Sequence, residues 1–247
     1  TSDKSGLYKS TLTNTGEPTY YFRGNVENNY VSFAGYTWRI VRVNEDGTIR
    51  IVKQDGINNN EYIKFNSNYN NYNYMYYTNS EAKTTLESWY QANIGSKSDL
   101  ANKVVSGNYY CEQAKVKRDS SWTSESASMT VYSSYTPSFK CTTDGNGKGQ
   151  VSASVGLLSY DEVVYAGGYY GQSNSNYYLY NNKYFWTMSP AGLSGSYSRV
   201  WGVSMSGNFI NNNVNNDTFA LRPVLILRAD TLATGTGTSS DPYEIQS

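Results

Sequence analysis

The side chains that most often carry catalysis are sparse in this chain of 247 residues, which contains no histidine. Without histidine there is no common general base, no Ser-His-Asp or Cys-His arrangement and no usual zinc site. The carboxylates Asp46, Asp161 and Glu162 are the remaining candidates for acid–base chemistry. Asp161 and Glu162, however, follow Ser159 with the spacing of a capping box, which places both at the start of a helix. We therefore expect no catalytic residue, no metal site and no cofactor.

The only two thiols, Cys111 and Cys141, flank a serine- and threonine-rich segment. This arrangement predicts a disulfide that closes the segment, as is common in exported proteins. Two free thiols are the alternative, because sequence alone does not fix the pairing geometry.

Asparagines cluster in 185–227, among residues typical of a scaffold. The cluster consists of Asn208, Asn211, Asn212, Asn213, Asn215 and Asn216. The scaffold consists of Trp186, Pro190, Arg199, Val203, Gly207, Val214, Leu221, Arg222, Pro223 and Leu225. A hydrophobic core would have to supply a partner for every amide, so the asparagines are expected at the surface. Arg199 and Arg222 are expected to be buried and to donate to loop carbonyls. A scaffold that displays so many amides favours a binding function.

Composition narrows the class of partner. Twenty basic and twenty acidic residues balance and are dispersed, so nothing indicates binding to nucleic acid or to an anionic membrane surface. The 26 tyrosines, with serine, asparagine and glycine, resemble the composition of antibody paratopes. The alternative is that tyrosine simply favours strands. No stretch is apolar enough to span a bilayer and no leader precedes Thr1, which suggests a mature or trimmed ectodomain.

The first third of the chain predicts strands. The segment 31–43 is rich in β-branched and aromatic residues, and it is followed by a turn at 44–47 and a second strand at 48–52. Trp38, Ile40 and Val43 are its candidates for the core. The tyrosine- and asparagine-rich segments 58–77 and 171–182 are expected to be surface loops.

Helices are predicted at three places. The segment 80–94 has apolar residues near helical period behind a serine cap, 98–105 is a second short candidate, and the capping box begins a third that ends at Gly167 and Gly168. Short strands are expected at 184–188, 199–205, 209–214 and 219–227, and a closing edge strand at 242–245. Few helices, many short strands and long loops predict an α+β domain with small antiparallel sheets and two main helices.

The order of several segments resembles a known family. These segments are YVSFAGYTWRIVRVNEDGTIRIV, LESWYQANI, VGLLSYDEVVYAGG, YFWTMSP, SRVWGVSMSGNF and LRPVLIL. Over about 20–245 they are similar to an exported domain family of Gram-positive bacteria and their phages, a branch of the C-type-lectin-like fold. That fold is shared with the formylglycine-generating enzyme group and with the variable proteins of diversity-generating retroelements.

The resemblance implies a set of ligand-contacting, variable positions on one exposed face. They are Tyr197, Trp201, Ser204, Asn208, Asn211, Asn213, Asn215 and Asn216. Core packing is the alternative for Tyr197 and Trp201, and an adenine- and thymine-rich genome is the alternative source of the asparagines. The cysteines lie outside the matched segments, so the copper or redox chemistry of the enzyme branch is not transferred to them. The tripeptides of calcium-dependent lectins are missing, since Glu17-Pro18-Thr19 is the nearest match.

The sequence thus predicts one C-type-lectin-like domain at 20–234, with an irregular cysteine-bearing insertion at about 106–149. An N-terminal extension, 1–19, and a C-terminal tail, 235–247, flank it. The predicted function is adhesion or receptor recognition outside the cell or at its surface, on a phage or on a pilus, through a protein or glycan ligand. The alternatives are a glycan- or peptide-modifying enzyme that uses surface carboxylates, and a structural subunit of a pilus.

Overall fold

Strands form most of the regular structure. The computed structural model describes residues 4–113, 137–141, 147–194, 196–231 and 233–246. The strands in these segments are β1 (Gly6–Ser10), β2 (Thr19–Arg23), β3 (Tyr30–Phe33), β4 (Tyr36–Val43), β5 (Ile49–Lys53), β6 (Gly107–Gln113), β7 (Gly147–Ala153), β8 (Tyr169–Tyr170), β9 (Phe185–Ser194), β10 (Tyr197–Val203), β11 (Asn208–Asn213), β12 (Val224–Leu227), β13 (Ala233–Thr234) and β14 (Tyr243–Ile245). The helices are α1 (Ile57–Asn60), α2 (Glu81–Tyr90), α3 (Ser98–Ala101) and α4 (Tyr160–Ala166). The protein is therefore of the α+β class, as predicted.

Eight strands form the largest sheet. Its main path runs β1-β2-β4-β3-β14-β13, while β5 pairs with β4 and β12 pairs with β5. All of its pairs are antiparallel except β14 with β3. The predicted single strand 31–43 is divided into β3 and β4 by Ala34 and Gly35, whose φ angles are 54° and 78°. Two successive residues with positive φ are what a tight hairpin turn needs.

The ends of the chain join this sheet. Strand β1 lies within the segment predicted as an N-terminal extension, and it pairs with β2. Strand β14 confirms the strand predicted at 242–245, although β13 lies outside it and forms the edge.

A second sheet, of four strands, has the order β8-β11-β10-β9. Strands β9, β10 and β11 are antiparallel, and β8 is parallel to β11. Strands β10 and β11 confirm two predicted strands with boundaries shifted by one or two residues. Strand β9 extends well past the predicted 184–188, whereas β12 is shorter than the predicted 219–227.

The helices begin where the sequence places their caps. The Ser80 side chain accepts a hydrogen bond from the backbone of Lys83 at the start of α2, and Ser159 and Glu162 form the predicted capping box of α4. Helix α2 continues through a wider turn, Gln91–Gly95. The predicted helix 98–105 is only the four residues of α3. Among the residues that the structure describes, no helix is long and apolar enough to cross a membrane.

The insertion is more regular at its base than predicted, because β6 and β7 pair there as a two-stranded ribbon. Cys111 and Cys141 form the predicted disulfide, with their Cα atoms 5.8 Å apart. The backbone N–H of Cys141 donates to Asn14 Oδ1 at 2.7 Å, and the Phe139 ring stacks on Tyr165 of α4 at 4.1 Å. Residues 114–136 and 142–146 of the predicted insertion lie outside the described part of the chain.

One contiguous hydrophobic core joins both main sheets and the helices α2 and α4. Trp38 of the large sheet and Trp186 and Trp201 of the four-stranded sheet are fully buried in it. Ile40 and Val43, also predicted for the core, are only half-buried.

Candidate functional site

One face of the β10–β11 hairpin displays polar and aromatic side chains. We call it the Tyr/Asn face and define it by Tyr69, Tyr197, Arg199, Asn211 and Asn213. Arg199 lies opposite Asn213 in the strand register, and Tyr197 is two residues before Arg199 on β10. Side chains alternate along a strand, so the β10 and β11 members of this set point to the same side of the sheet.

The neighbouring loop anchors the aromatic end of this face. The rings of Tyr69 and Tyr197 stack with their centroids 4.6 Å apart and their planes within 8°. Below them, the backbone N–H of Ser198 donates to the Tyr69 carbonyl at 2.7 Å, and the buried Ser198 hydroxyl donates to the Asn71 carbonyl. Tyr197 remains 38% exposed. The loop and the strand therefore hold the ring pair in place while leaving it open to a ligand.

The polar end of the face is organised by Arg199. Its Nε donates to Asn213 Oδ1 at 3.0 Å, and its Nη1 donates to Asn211 Oδ1 at 2.9 Å. All three side chains are half-buried. The prediction that Arg199 is buried and bonded to loop carbonyls is wrong, because Arg199 is half-buried and donates to the side chains of Asn211 and Asn213.

The expectation that all eight predicted positions share one exposed face is wrong. The side chain of Trp201 is fully buried, packed against Tyr160 and Phe209 and met edge-on by Tyr170 at 5.6 Å. Ser204 is also buried, in the turn between β10 and β11, where its hydroxyl accepts from the backbone of Ser206. Trp201 lies on the same side of β10 as Tyr197 and Arg199 by strand alternation, but Tyr160 of α4 packs over this end of the hairpin.

The other predicted asparagines are half-buried and lie away from the Tyr/Asn face. Asn208 points to the opposite side of β11 by strand alternation, and its Oδ1 accepts from the Gly171 backbone at 2.9 Å. Asn215 and Asn216 follow β11 in a turn, where Asn216 Oδ1 accepts from the Thr218 backbone at 2.9 Å. Of the eight positions, the structure brings together Tyr197, Asn211 and Asn213.

Arg222 fits the scaffold role that the sequence predicts for it. It is buried, donating from Nε to the Lys53 carbonyl at 3.1 Å and from Nη1 to the Leu179 carbonyl at 2.6 Å. Burial lowers the pKa of the Arg222 guanidinium to about 10, although nearby tyrosines favour its charged form. Arg222 thus ties the 171–182 loop to the large sheet.

Asp46, one of the candidate catalytic carboxylates, is held by two hydroxyl groups. Thr48 Oγ1 donates to Oδ1 at 2.6 Å, and Tyr109 Oη donates to Oδ2 at 2.8 Å. Partial burial raises the pKa of Asp46, but the hydrogen bonds from Thr48 and Tyr109 outweigh this effect and the pKa is lowered. A carboxylate held in its charged form in this way is a weaker base than an ordinary aspartate.

Glu162 is committed to structure. It forms a buried ion pair with Arg50, whose Nη2 donates to Oε2 at 3.0 Å, and Oε2 also accepts from the Ser159 backbone at 2.9 Å. Asp161 accepts from the Ser138 backbone at 3.1 Å. Both carboxylates border a cavity of only about 20 Å³, which has room for about one water molecule and none for a substrate.

Two larger cavities, of about 190 and 200 Å³, lie away from the Tyr/Asn face. The first lies beside the disulfide and is lined by Arg42, Asn44 and Asp46, and the second lies between β14 and α3. In the described segments, no group of three or more cysteine, aspartate or glutamate side chains is placed to hold a metal ion. The Tyr/Asn face itself is an open surface, as in many sites that bind extended ligands.

Sequence reasoning missed two members of this face. Arg199 is assigned to the scaffold, and the strand predicted at 199–205 does not include Tyr197, so the prediction does not place the two residues on one strand. Tyr69 lies more than a hundred residues before Tyr197 along the chain, and no local pattern connects a loop tyrosine to a distant strand.

In comparisons with protein-family models, with curated proteins and with solved structures, none matches this chain. The function is therefore argued from the site itself.

Proposed function

We propose that this protein is a binding module that recognises a ligand through the Tyr/Asn face. The observation that carries the proposal is the accessible pair of stacked tyrosines beside a guanidinium and two amides, held by the β10–β11 hairpin and by the loop that carries Tyr69. Aromatic rings supply contact area at low entropic cost, and amides and guanidinium groups supply directed hydrogen bonds.

The mechanism is display from a rigid base. Arg199 already holds Asn211 and Asn213, and the stack holds Tyr197, so these side chains lose little conformational freedom when a ligand binds. Preorganisation of this kind increases affinity because less ordering entropy is lost on association.

A binding screen with a matched pair of tyrosine variants tests the proposal. The protein is applied to arrays of glycans and of extracellular proteins, and every hit is repeated with Tyr197→Ala and with Tyr20→Ala. Tyr20 is 41% exposed, similar to Tyr197, but lies on β2 in the other sheet. We expect Tyr197→Ala to weaken the hits about tenfold and Tyr20→Ala to leave them unchanged. Hits that both variants retain fully, or an array without hits, would contradict the proposal.

We also propose that the fold belongs to the C-type-lectin-like class and that the asparagine positions vary as in retroelement-diversified proteins. The α+β architecture and the clustered asparagines on one hairpin support this. The test is to sequence the region encoding 197–217 and its genomic surroundings in many isolates. Substitutions confined to adenines beside a repeat and a reverse transcriptase are expected, and an invariant region without such a cassette would exclude diversification.

The proposed location is outside the cell or on its surface, in keeping with the disulfide between Cys111 and Cys141. We propose no enzymatic activity, because Asp46 and Glu162 are each engaged in structural contacts. No observation favours a pilus subunit over a binding module.

A further inference from the structure

The hydrogen bonds of Arg199 decide which groups the Tyr/Asn face offers to a ligand. A guanidinium can only donate, so both amides must turn their oxygen atoms toward it. The Nδ2 groups of Asn211 and Asn213 are thereby left as donors, and neither donates to any other described residue. The centre of the face therefore consists of hydrogen-bond donors.

The charge at this centre has no counterion in the described structure. No carboxylate of the described residues lies within 4.0 Å of the Arg199 guanidinium. Arg50 and Arg42 face Glu162, and Arg228 faces Asp230. Arg39 and Arg222 are buried and donate to carbonyl oxygens, whereas Arg199 is only half-buried. The N–H groups of Arg199 that do not contact the amides are therefore available to a ligand that is anionic and accepts hydrogen bonds.

Aromatic rings flank this cationic centre on both sides. At one end lie Tyr197 and Tyr69, and at the other lies Tyr170, which is 46% exposed and pairs with Phe209 in the strand register. From Phe209 to Asn213 the strand spans roughly 13 Å. Phe209 itself is buried, so Tyr170 forms the surface at this end, and the separation of Tyr170 from Tyr197 corresponds to a few sugar units.

The arrangement favours a glycan over a protein partner. Protein interfaces usually have an apolar, desolvated centre and a polar rim. Here the order is reversed, because the charge and the amides are central and the rings are peripheral. A sugar with a carboxylate matches this order, since it places an anion on Arg199, hydroxyl acceptors on the amides and C–H surfaces on the tyrosines.

We propose that the Tyr/Asn face binds a glycan through a carboxylate-bearing sugar, with Arg199 as the anchor of the carboxylate. This inference rests on the proposed function and assigns it a ligand class. It also changes the role of Arg199 from scaffold to ligand contact.

The test measures calorimetric affinities for three probes: trigalacturonic acid, its methyl ester and a tetraglutamate peptide. The ester keeps the shape of the sugar and removes its charge. We expect the acid to bind about tenfold or more tightly than the ester, and its affinity to fall as salt rises. Arg199→Gln should remove this preference, whereas Arg228→Gln, the same change at an exposed arginine that follows β12 of the large sheet, should preserve it.

A second variant covers the case in which Arg199→Gln disturbs folding. Asn213→Asp has nearly the same shape and places a carboxylate against the guanidinium, so it should weaken acid binding about tenfold while circular dichroism shows an unchanged fold. Lack of binding to the acid, equal binding of acid and ester, or tighter binding of tetraglutamate would each overturn the inference. Equal binding of acid and ester that is lost in Tyr197→Ala would overturn the carboxylate anchor alone and leave the proposed function standing.

Discussion

Three arginines show how the neighbours of a single residue type determine its role. Arg222 is buried among carbonyl oxygens and holds loops together, whereas Arg50 is buried against Glu162. Arg199 lies at the accessible surface and orients two amides. All three are charged donors, but their acceptors differ: backbone carbonyls for Arg222, a carboxylate for Arg50 and side-chain amides for Arg199.

At this scale we predict that Glu162→Gln strongly destabilises the protein. The substitution removes the charge that balances buried Arg50, and an uncompensated buried charge costs about 3–5 kcal/mol. Urea denaturation measures the change in the free energy of unfolding. The matched control is Glu45→Gln, because Glu45 is more exposed and lies 3.8 Å from Arg42, so its loss should cost less than about 1 kcal/mol. Similar losses for both variants would contradict the assigned role of Glu162.

The β10–β11 hairpin is the element that presents Asn211 and Asn213 at the surface. Its turn is fixed from outside, since the Asn174 N–H donates to the Ser206 carbonyl and Asn174 Nδ2 donates to the Gly167 carbonyl. Phe209, Asn211 and Asn213 lie on the same side of β11 by strand alternation. Phe209 is buried against Tyr160 of α4, whereas Asn211 and Asn213 lie farther along the strand and are only half-buried. The hairpin therefore has a buried end at Phe209 and an accessible end at Asn211 and Asn213.

Gly207 is predicted to be indispensable to this hairpin. Its φ is +74°, and a Cβ atom there would lie 1.8 Å from the Asn174 carbonyl oxygen. Gly171 has a similar φ, +75°, but a Cβ atom there would meet nothing within 4 Å. We expect Gly207→Ala to cost about 3 kcal/mol, from backbone strain plus the clash, and Gly171→Ala about 1 kcal/mol from strain alone. Chemical denaturation of both variants measures the difference, and equal costs would show that the close approach to Asn174 is unimportant.

At the scale of the whole molecule, tyrosines serve both core and surface. Tyr110 and Tyr177 are almost fully buried, with hydroxyls that donate to the carbonyls of Val224 and Gly207, whereas Tyr170 and Tyr197 remain exposed. The hydroxyl groups of Tyr77, Tyr110 and Tyr177 thus donate to carbonyl oxygens of distant segments, whereas the buried Tyr178 hydroxyl has no partner among the described residues. The amino-acid composition alone does not distinguish the buried tyrosines from the exposed ones.

The buried tyrosines make stability depend on alkaline pH. Burial raises the pKa of Tyr77, Tyr110, Tyr177 and Tyr178 above the ordinary value of 10.0. The folded state therefore retains protons that the unfolded chain releases above about pH 10, so stability is complete below that pH and falls as pH rises beyond it. Thermal unfolding monitored across this range should show a falling midpoint.

Ultraviolet absorbance of tyrosinate provides the complementary measurement. We expect the exposed tyrosines to ionise first and the buried group to ionise only together with loss of the folded signal in circular dichroism. Complete ionisation of all tyrosines in a protein that remains folded would contradict the burial-raised pKa values.

Local sequence determined the features that depend on neighbouring residues. The caps at Ser80 and Ser159, the strands β10 and β11, and the α+β class follow from periodicity and capping chemistry, which act over a few residues. The disulfide followed from the presence of only two cysteines and their setting. The structure confirms these predictions.

Tertiary structure alone decided which members of the polar hairpin are accessible. Trp201 is buried in the core, and packing of the 58–77 loop places Tyr69 on Tyr197. Pairing of β10 with β11 places Arg199 within reach of two amides. Each of these outcomes depends on contacts between segments distant in sequence, whose closeness is created only when the apolar surfaces of both sheets are buried together.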